Sequence, residues 1–334
     1  MNISKLEDIL KMEPKYRQEQ AKKAIFKDLI DNWVQATSFP LELREKLNEV
    51  CPLGIKAETF VSKKGDNVKA RIVLEDGLAI ESVLMRHKDG RNTVCVSSQA
   101  GCALGCKFCA TGESGFKRNL DFFEILEQVL FFSRYLKSDK EKITNIVFMG
   151  MGEPFLNYQN VMEAIKTLNN KQGINLGARK ISISTVGITE GIRKLAEENL
   201  QVNLAVSLHA ADDKLRLKLI PAAEKYSIKN ILKAVDYYIK KTKRRVMFEY
   251  LMIDNFNDSE KDALDLAELM KKPLFFVNLI SCNPVGSFNP SSSLKIKRFK
   301  EILEKRGISV TQRYRFGQDI KGACGQFSLN KHEN

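Results

Sequence analysis

Cys102-Ala103-Leu104-Gly105-Cys106-Lys107-Phe108-Cys109 places three thiols in eight residues at the spacing C-x3-C-x2-C. Glycines at Gly101, Gly105 and Gly112 let the backbone fold round them, so three thiolates can be directed at one inorganic centre. Structural zinc wants four protein ligands, usually two C-x2-C pairs, whereas this stretch has one x2 spacing and no nearby histidine. Zinc is therefore the weaker reading, and a redox-labile loop is the bland one. A cube of four irons and four sulfides held by three cysteines keeps one iron open to a substrate or cofactor. The spacing reads as catalytic more than structural.

Length and composition bound the size of the fold, the kind of partner and the compartment. A chain of 334 residues, 43% hydrophobic, is long enough for one large domain and a small accessory one. Lys and Arg number 54 against 41 Asp and Glu, and the net charge of +13 points to a polyanionic partner, RNA before an anionic lipid surface. No apolar run approaches the length of a membrane span, and the amino terminus carries no signal or lipidation pattern, so a cytoplasmic protein is expected. Seven cysteines, three of them in one loop, do not form a secreted disulfide framework.

Residues 1–52 carry apolar positions Leu6, Ile9, Leu10, then Ala24, Ile25, Leu29, Ile30, Trp33 and Val34 at helical spacings, which predicts a small helical domain. Lys15, Arg17, Lys22, Lys23 and Lys27 decorate it; a solvated face is the ordinary reading of such charges, an RNA contact the functional one. Residues 53–92 read as a β-meander, with strands at 70–74 and 80–85 around an Asp76-Gly77 turn signal. On spacing alone, Glu81 in the second strand is an exposed carboxylate on the face opposite Ile80. Residues 93–292 alternate. After a capping-box helix from Asp121 through Leu136 come strands at 145–149, 180–185, 201–208, 246–251 and 274–279, separated by helical patterns near 158–169, 189–199, 228–242 and 257–271. Such alternation predicts an α/β fold with right-handed parallel crossovers, either a full or partial barrel or an open doubly wound sheet. Residues 293–334 supply a basic helix over 293–306, a strand and a glycine-rich loop.

In parallel α/β folds ligands gather at the carboxyl ends of strands. Gly150-Met-Gly152-Glu153 follows a strand, and Phe155 stands where a dinucleotide fingerprint would need its third glycine. Ser184, Ser207-Leu208-His209 and Asn283 also fall after strands. A lone histidine there is more often a core residue than a ligand. Cys324, in Gly-Ala-Cys-Gly, and Cys95, seven residues before Cys102, each read locally as buried and inert; Cys51 and Cys282 read as structural.

The cysteine spacing followed by Ala110-Thr111-Gly112 resembles the radical S-adenosylmethionine (radical SAM) superfamily. With Gly150-Met-Gly-Glu153-Pro-Phe-Leu-Asn157, Ser207-Leu-His209 and Gly322-Ala-Cys324-Gly-Gln326, the chain is similar over nearly its whole length to the RlmN group of RNA adenosine-C2 methyltransferases. The resemblance implies a partial (β/α)6 barrel, a 4Fe-4S cluster on Cys102, Cys106 and Cys109, and S-adenosyl-L-methionine held by Gly152, Glu153, Ser184, Ser207, Leu208, His209 and Asn283. It also implies Cys324 as methyl carrier, Glu81 as proton acceptor, and Cys95 as the thiol that resolves the product through a disulfide with Cys324. The substrates implied are an adenosine of 23S rRNA at the peptidyl-transferase centre and the tRNA adenosine beside the anticodon. An electron donor such as flavodoxin and a monomeric state are expected. The nearest rival is the sister C8 methyltransferase of ribosomal antibiotic resistance, which resembles Gly-Glu-Ala where this chain reads Gly-Glu-Pro154. A rival of another class is an RNA-binding protein with a structural metal.

Overall fold

A computed structural model describes residues 3–285, 288–313 and 317–327; residues 1–2, 286–287, 314–316 and 328–334, which belong to the predicted 1–52, 93–292 and 293–334 segments, lie outside the described residues. Helices α1 (Ile3–Lys11), α2 (Lys15–Phe26) and α3 (Leu41–Val50) come first. The expected helical run through Val34 is interrupted. Helix α2 stops at Phe26, Leu29 has a φ of 55°, and Trp33 begins a 3-10 turn capped by the Asn32 side chain. Trp33 is fully buried with its indole N–H donated to the Cys51 carbonyl at 2.8 Å, whereas Val34 is exposed. Burying the indole with its donor satisfied outweighs continuing the helix.

Three antiparallel strands follow, β1 (Ala57–Val61), β2 (Asn67–Val73) and β3 (Ala79–Arg86), and β3 pairs with β4 (Asn92–Val96) with Val83 opposite Cys95. The sequence reading began β2 three residues late because Asn67 and Lys69 are polar; both are buried. After β4 the chain makes a short ribbon of β5 (Gln99–Gly101) and β6 (Phe116–Asn119), which the sequence pattern does not announce, with the cysteine loop and helix α4 (Ala110–Glu113) between them.

The alternation then runs α5 (Phe122–Lys137), β7 (Asn145–Phe148), α6 (Tyr158–Asn169), β8 (Ile181–Thr185), α7 (Thr189–Glu197), β9 (Asn203–Ser207), α8 (Asp213–Leu219), α9 (Ile228–Thr242), β10 (Val246–Met252), α10 (Glu260–Leu269), β11 (Phe275–Ser281), α11 (Ser293–Lys305) and β12 (Val310–Arg313). The box that opens α5 is complete: the Asp121 side chain accepts from the Glu124 amide and the Glu124 side chain from the Asp121 amide. Phe123, Leu126, Val129, Leu130 and Phe132 on α5 are buried, each worth about 1.5–3 kcal/mol against exposure.

One ten-stranded sheet has the order β1-β2-β3-β4-β7-β8-β9-β10-β11-β12, parallel from β4 to β12. The meander is thus hydrogen-bonded to the core strands as a continuation of the same sheet. Met85, Cys95, Val147, Ser182, Met247, Asn278 and Thr311, drawn from β3 to β12, line one cavity, which requires the sheet to curl round it. Among the described residues β1 and β12, at the two edges of the sheet, do not pair with one another, so the barrel is partial. Among the described residues, no helix is long and apolar enough to cross a membrane.

Candidate active site

Two joined cavities occupy the barrel mouth. The smaller, about 150 Å³, is lined by Cys102, Cys106 and Cys109 with Glu153, Ser184 and His209 among others. The larger, about 500 Å³, runs down the barrel past Cys95. Cys109, Met149, Asn283, Arg313 and Cys324 line both.

The cysteine loop is held by its glycines. A Cβ on Gly101 would sit 1.8 Å from the Gly115 carbonyl oxygen, and Gly101 has a φ of +78°. Cys102 and Gly115 are joined through a backbone hydrogen bond of 3.1 Å. Burial pushes the Cys102 thiol up to about 11 and the Cys106 thiol further up, and the neighbouring cysteines add to both shifts. Thiols so desolvated ionise only beside a strongly positive centre. Among the described residues no three His, Cys, Asp or Glu side chains are arranged to hold a single metal ion. The three sulfurs line a cavity rather than a point, a donor set that fits a multi-iron cluster better than zinc.

Gly150 and Gly152 are glycines because the turn after β7 presses on the segment after β4. A Cβ on Gly150 would lie 2.7 Å from Ser97 Oγ, and one on Gly152, at φ +98°, 2.5 Å from Gln99 Cβ. Glu153 is buried; its Oε1 accepts from the Phe155 amide at 3.1 Å and its Oε2 from the Val186 amide at 2.9 Å. Burial still raises its carboxyl to about 7. Each oxygen keeps a lone pair for a further donor.

Ser184 donates to Glu249 Oε2 at 2.6 Å and lies 3.4 Å from the Ser207 hydroxyl. His209, at φ 60°, accepts the Leu251 amide at Nδ1 (3.1 Å), and Phe108 meets its ring edge-on. Burial, then the Arg216 charge, lowers the imidazole to about 3, so the ring is neutral with its proton on Nε2. Leu208 is not on the wall: its side chain is buried, its amide donates to the Glu249 carbonyl and its carbonyl accepts from Arg216 Nε. The residues either side of it face the cavity.

The loop bearing Cys324 lies on the cysteine loop. The Ala110 amide donates to the Gly325 carbonyl at 2.8 Å, the Thr111 hydroxyl to the Phe327 carbonyl at 2.8 Å, and Asn283 Nδ2 to the Cys324 carbonyl at 3.0 Å. Arg313 Nη1 donates to Cys324 Sγ at 3.4 Å. Cys95 is buried, its thiol pushed up by burial and by Cys324, with Arg313 the opposing positive charge. All seven cysteines are free, so Cys95 and Cys324 are not bonded to one another. Glu81 is not on either wall. It is buried rather than exposed, paired with an equally buried Lys69 at 3.0 Å, on the sheet face that carries Cys95.

Sequence reasoning missed Arg216, Glu249 and Arg313. Arg216 is fully buried and donates to the carbonyls of Val186, Leu208 and Tyr226, clamping the ends of β8 and β9; within Asp-Asp-Lys-Leu-Arg it looks like surface charge. Glu249 had a signal, as the lone carboxylate in the otherwise apolar strand β10.

The sequence profile of the Radical SAM superfamily matches residues 96–267. A curated relative from Dictyoglomus thermophilum, named "Probable dual-specificity RNA methyltransferase RlmN", is 45% identical over 97% of this chain and 94% of its own length. The chain belongs to the RlmN family of radical SAM methyltransferases. A relative from Nitrosopumilus maritimus, "Ribosomal RNA large subunit methyltransferase N", is 45% identical over 86% of this chain and 85% of its own. A crystal structure of a radical SAM methyltransferase from Sphaerobacter thermophilus superposes with a TM-score of 0.93 at 41% identity, covering 98% of this chain and 97% of that one. Membership in this family implies a 4Fe-4S cluster and S-adenosylmethionine.

Proposed function

We propose that this RlmN-family protein methylates C2 of adenosine in 23S rRNA and tRNA, with Cys102, Cys106 and Cys109 holding the cluster. Adenine C2 is electron-poor and carries no acidic hydrogen, so polar methyl transfer does not reach it. When bound, the cluster and S-adenosylmethionine supply a 5′-deoxyadenosyl radical. Cys324, as thiolate, first takes a methyl group from S-adenosylmethionine. Transfer of a hydrogen atom from that methyl to the 5′-deoxyadenosyl radical would leave a methylene radical on Cys324 that adds to C2. The adduct would give up one electron to the bound cluster and its C2 proton to Glu81, which lies off both cavity walls against Lys69 and so would receive it by relay. Cys95 would then attack Cys324 Sγ, forming a disulfide and breaking the carbon–sulfur bond, and the released carbon would take up a proton to become the methyl group. Gly152, Glu153, Ser184, Ser207, His209 and Asn283 line the cofactor space; Leu208 serves only to fix its neighbours. Residues 1–52 would contact RNA, a small electron-transfer protein such as flavodoxin would supply electrons, and a monomer in the cytoplasm suffices for the chemistry.

The observation that carries this reading is the shared wall: Cys324 and Cys109 line both cavities, Cys102 and Cys106 line the smaller, and Cys95 lines the larger. Anaerobically reconstituted protein, incubated with S-adenosylmethionine, reductant and unmodified RNA, should yield 2-methyladenosine on nucleoside mass spectrometry. Finding 8-methyladenosine would move the protein to the sister activity, against Pro154. Cys324→Ala should give no methylated protein and no methylated RNA. Cys95→Ala should instead accumulate a nuclease-sensitive protein–RNA adduct, since water does not open the thioether. Normal turnover of Cys95→Ala without added thiol would remove Cys95 from the mechanism.

A further inference from the structure

Glu249 sits in the middle of β10 and is buried, with 4% of its surface exposed. Its Oε2 accepts the Ser184 hydroxyl at 2.6 Å, while its Oε1 has no hydrogen-bond partner. The nearest cation to Oε1 is Arg313, with Nη1 at 3.7 Å, an ion pair too long to be a hydrogen bond. Leaving a buried carboxylate oxygen without a donor costs about 1–3 kcal/mol or more, so a donor from outside the chain is the economical explanation. Glu249 lines the smaller cavity together with Ser184, Ser207 and His209. Ser184 has spent its only proton on Glu249 and faces the cavity as an acceptor. Two adjacent acceptors suit a ligand with two adjacent hydroxyl donors.

We infer that Glu249 is a cofactor-contacting residue whose Oε1 accepts a ribose hydroxyl of S-adenosylmethionine, with Ser184 beside it taking the neighbouring hydroxyl. A carboxylate reading a ribose diol is the solution that dinucleotide-binding folds also use. The ammonium is assigned to Glu153, whose raised carboxyl lacks a counter-charge. The inference rests on the smaller cavity being the S-adenosylmethionine site.

The test is calorimetric titration of anaerobically reconstituted full-length protein with S-adenosylhomocysteine and with its 2′-deoxy and 3′-deoxy forms. Wild type should bind at least one deoxy form about 10- to 100-fold more weakly than the parent, the worth of a hydrogen bond to a charged group. Glu249→Gln should lose affinity for the parent and most of that discrimination, while thermal denaturation shows it folded. If wild type binds the parent well but is indifferent to both hydroxyls, or if folded Glu249→Gln discriminates as wild type does, the inference is overturned and the proposed function stands. If wild type does not bind S-adenosylhomocysteine at all, both fall together. Should Glu249→Gln fail to fold, the comparison of ligands on wild type decides alone.

Discussion

Glu153 and His209 show how single side chains at this site trade stability for chemistry. Folding raises the Glu153 carboxyl from 4.5 to about 7 by burial, so the folded protein prefers it protonated. That contribution is fully present below pH 4.5 and is lost as pH rises through about 7, a cost of about 3 kcal/mol once ionised. Glu153→Gln should therefore melt higher than wild type at pH 8 in the absence of cofactor, with little difference at pH 4.5, yet bind S-adenosylhomocysteine at least tenfold more weakly. His209 pulls the other way. Its imidazole falls from 6.5 to about 3 on folding, so its contribution is present above pH 6.5 and is lost as pH falls toward 3. Thermal melts of His209→Gln against pH should lose that acid-side slope; an unchanged slope would mean the ring is not held neutral. Neither behaviour was legible in the sequence, because a carboxylate after G-x-G announces a ligand but not how deeply it is buried.

At the level of elements, the site depends on turns pressed against each other. The cysteine spacing, the G-x-G turn and the strand–helix alternation were readable because each is local chemistry or periodicity. The β5–β6 ribbon was not, since three- and four-residue strands leave no alternation to read. Arg216 was missed for a different reason: its partners are carbonyls at Val186, Leu208 and Tyr226, and nothing in sequence marks which carbonyls lack an amide. Replacing it strands several buried acceptors, so Arg216→Met should cost about 3 kcal/mol or more in urea unfolding. Loosening of the β8 and β9 ends should also weaken S-adenosylhomocysteine binding in the fraction that stays folded. A variant with wild-type unfolding midpoint and affinity would show that the clamp is dispensable.

Across the whole molecule, the +13 charge is spread unevenly once ion pairs are counted. Helix α11 is basic, but Lys295 pairs with Asp254 and Asp258, Arg298 with Glu260, and Lys300 with Glu304. Much of its charge is answered within the protein. On α2, Lys22 and Lys23 are exposed, as is Lys27 just after it, and none of the three takes part in an ion pair among the described residues. Unanswered cations displace counterions from phosphates, and the logarithm of affinity then falls with the logarithm of salt at about 0.7 per contact for single-stranded RNA. Five such contacts would lower affinity about 100-fold between 50 and 200 mM salt. Filter binding of an RNA hairpin should show that slope, and the triple substitution Lys22→Gln, Lys23→Gln, Lys27→Gln should reduce it by about two units while leaving S-adenosylhomocysteine affinity untouched. Neutralising Lys295 and Arg298 should change the slope much less. If instead the α11 pair controls the slope and the α2 lysines do not, the RNA path crosses the carboxyl-terminal side of the barrel and the helical domain serves another purpose.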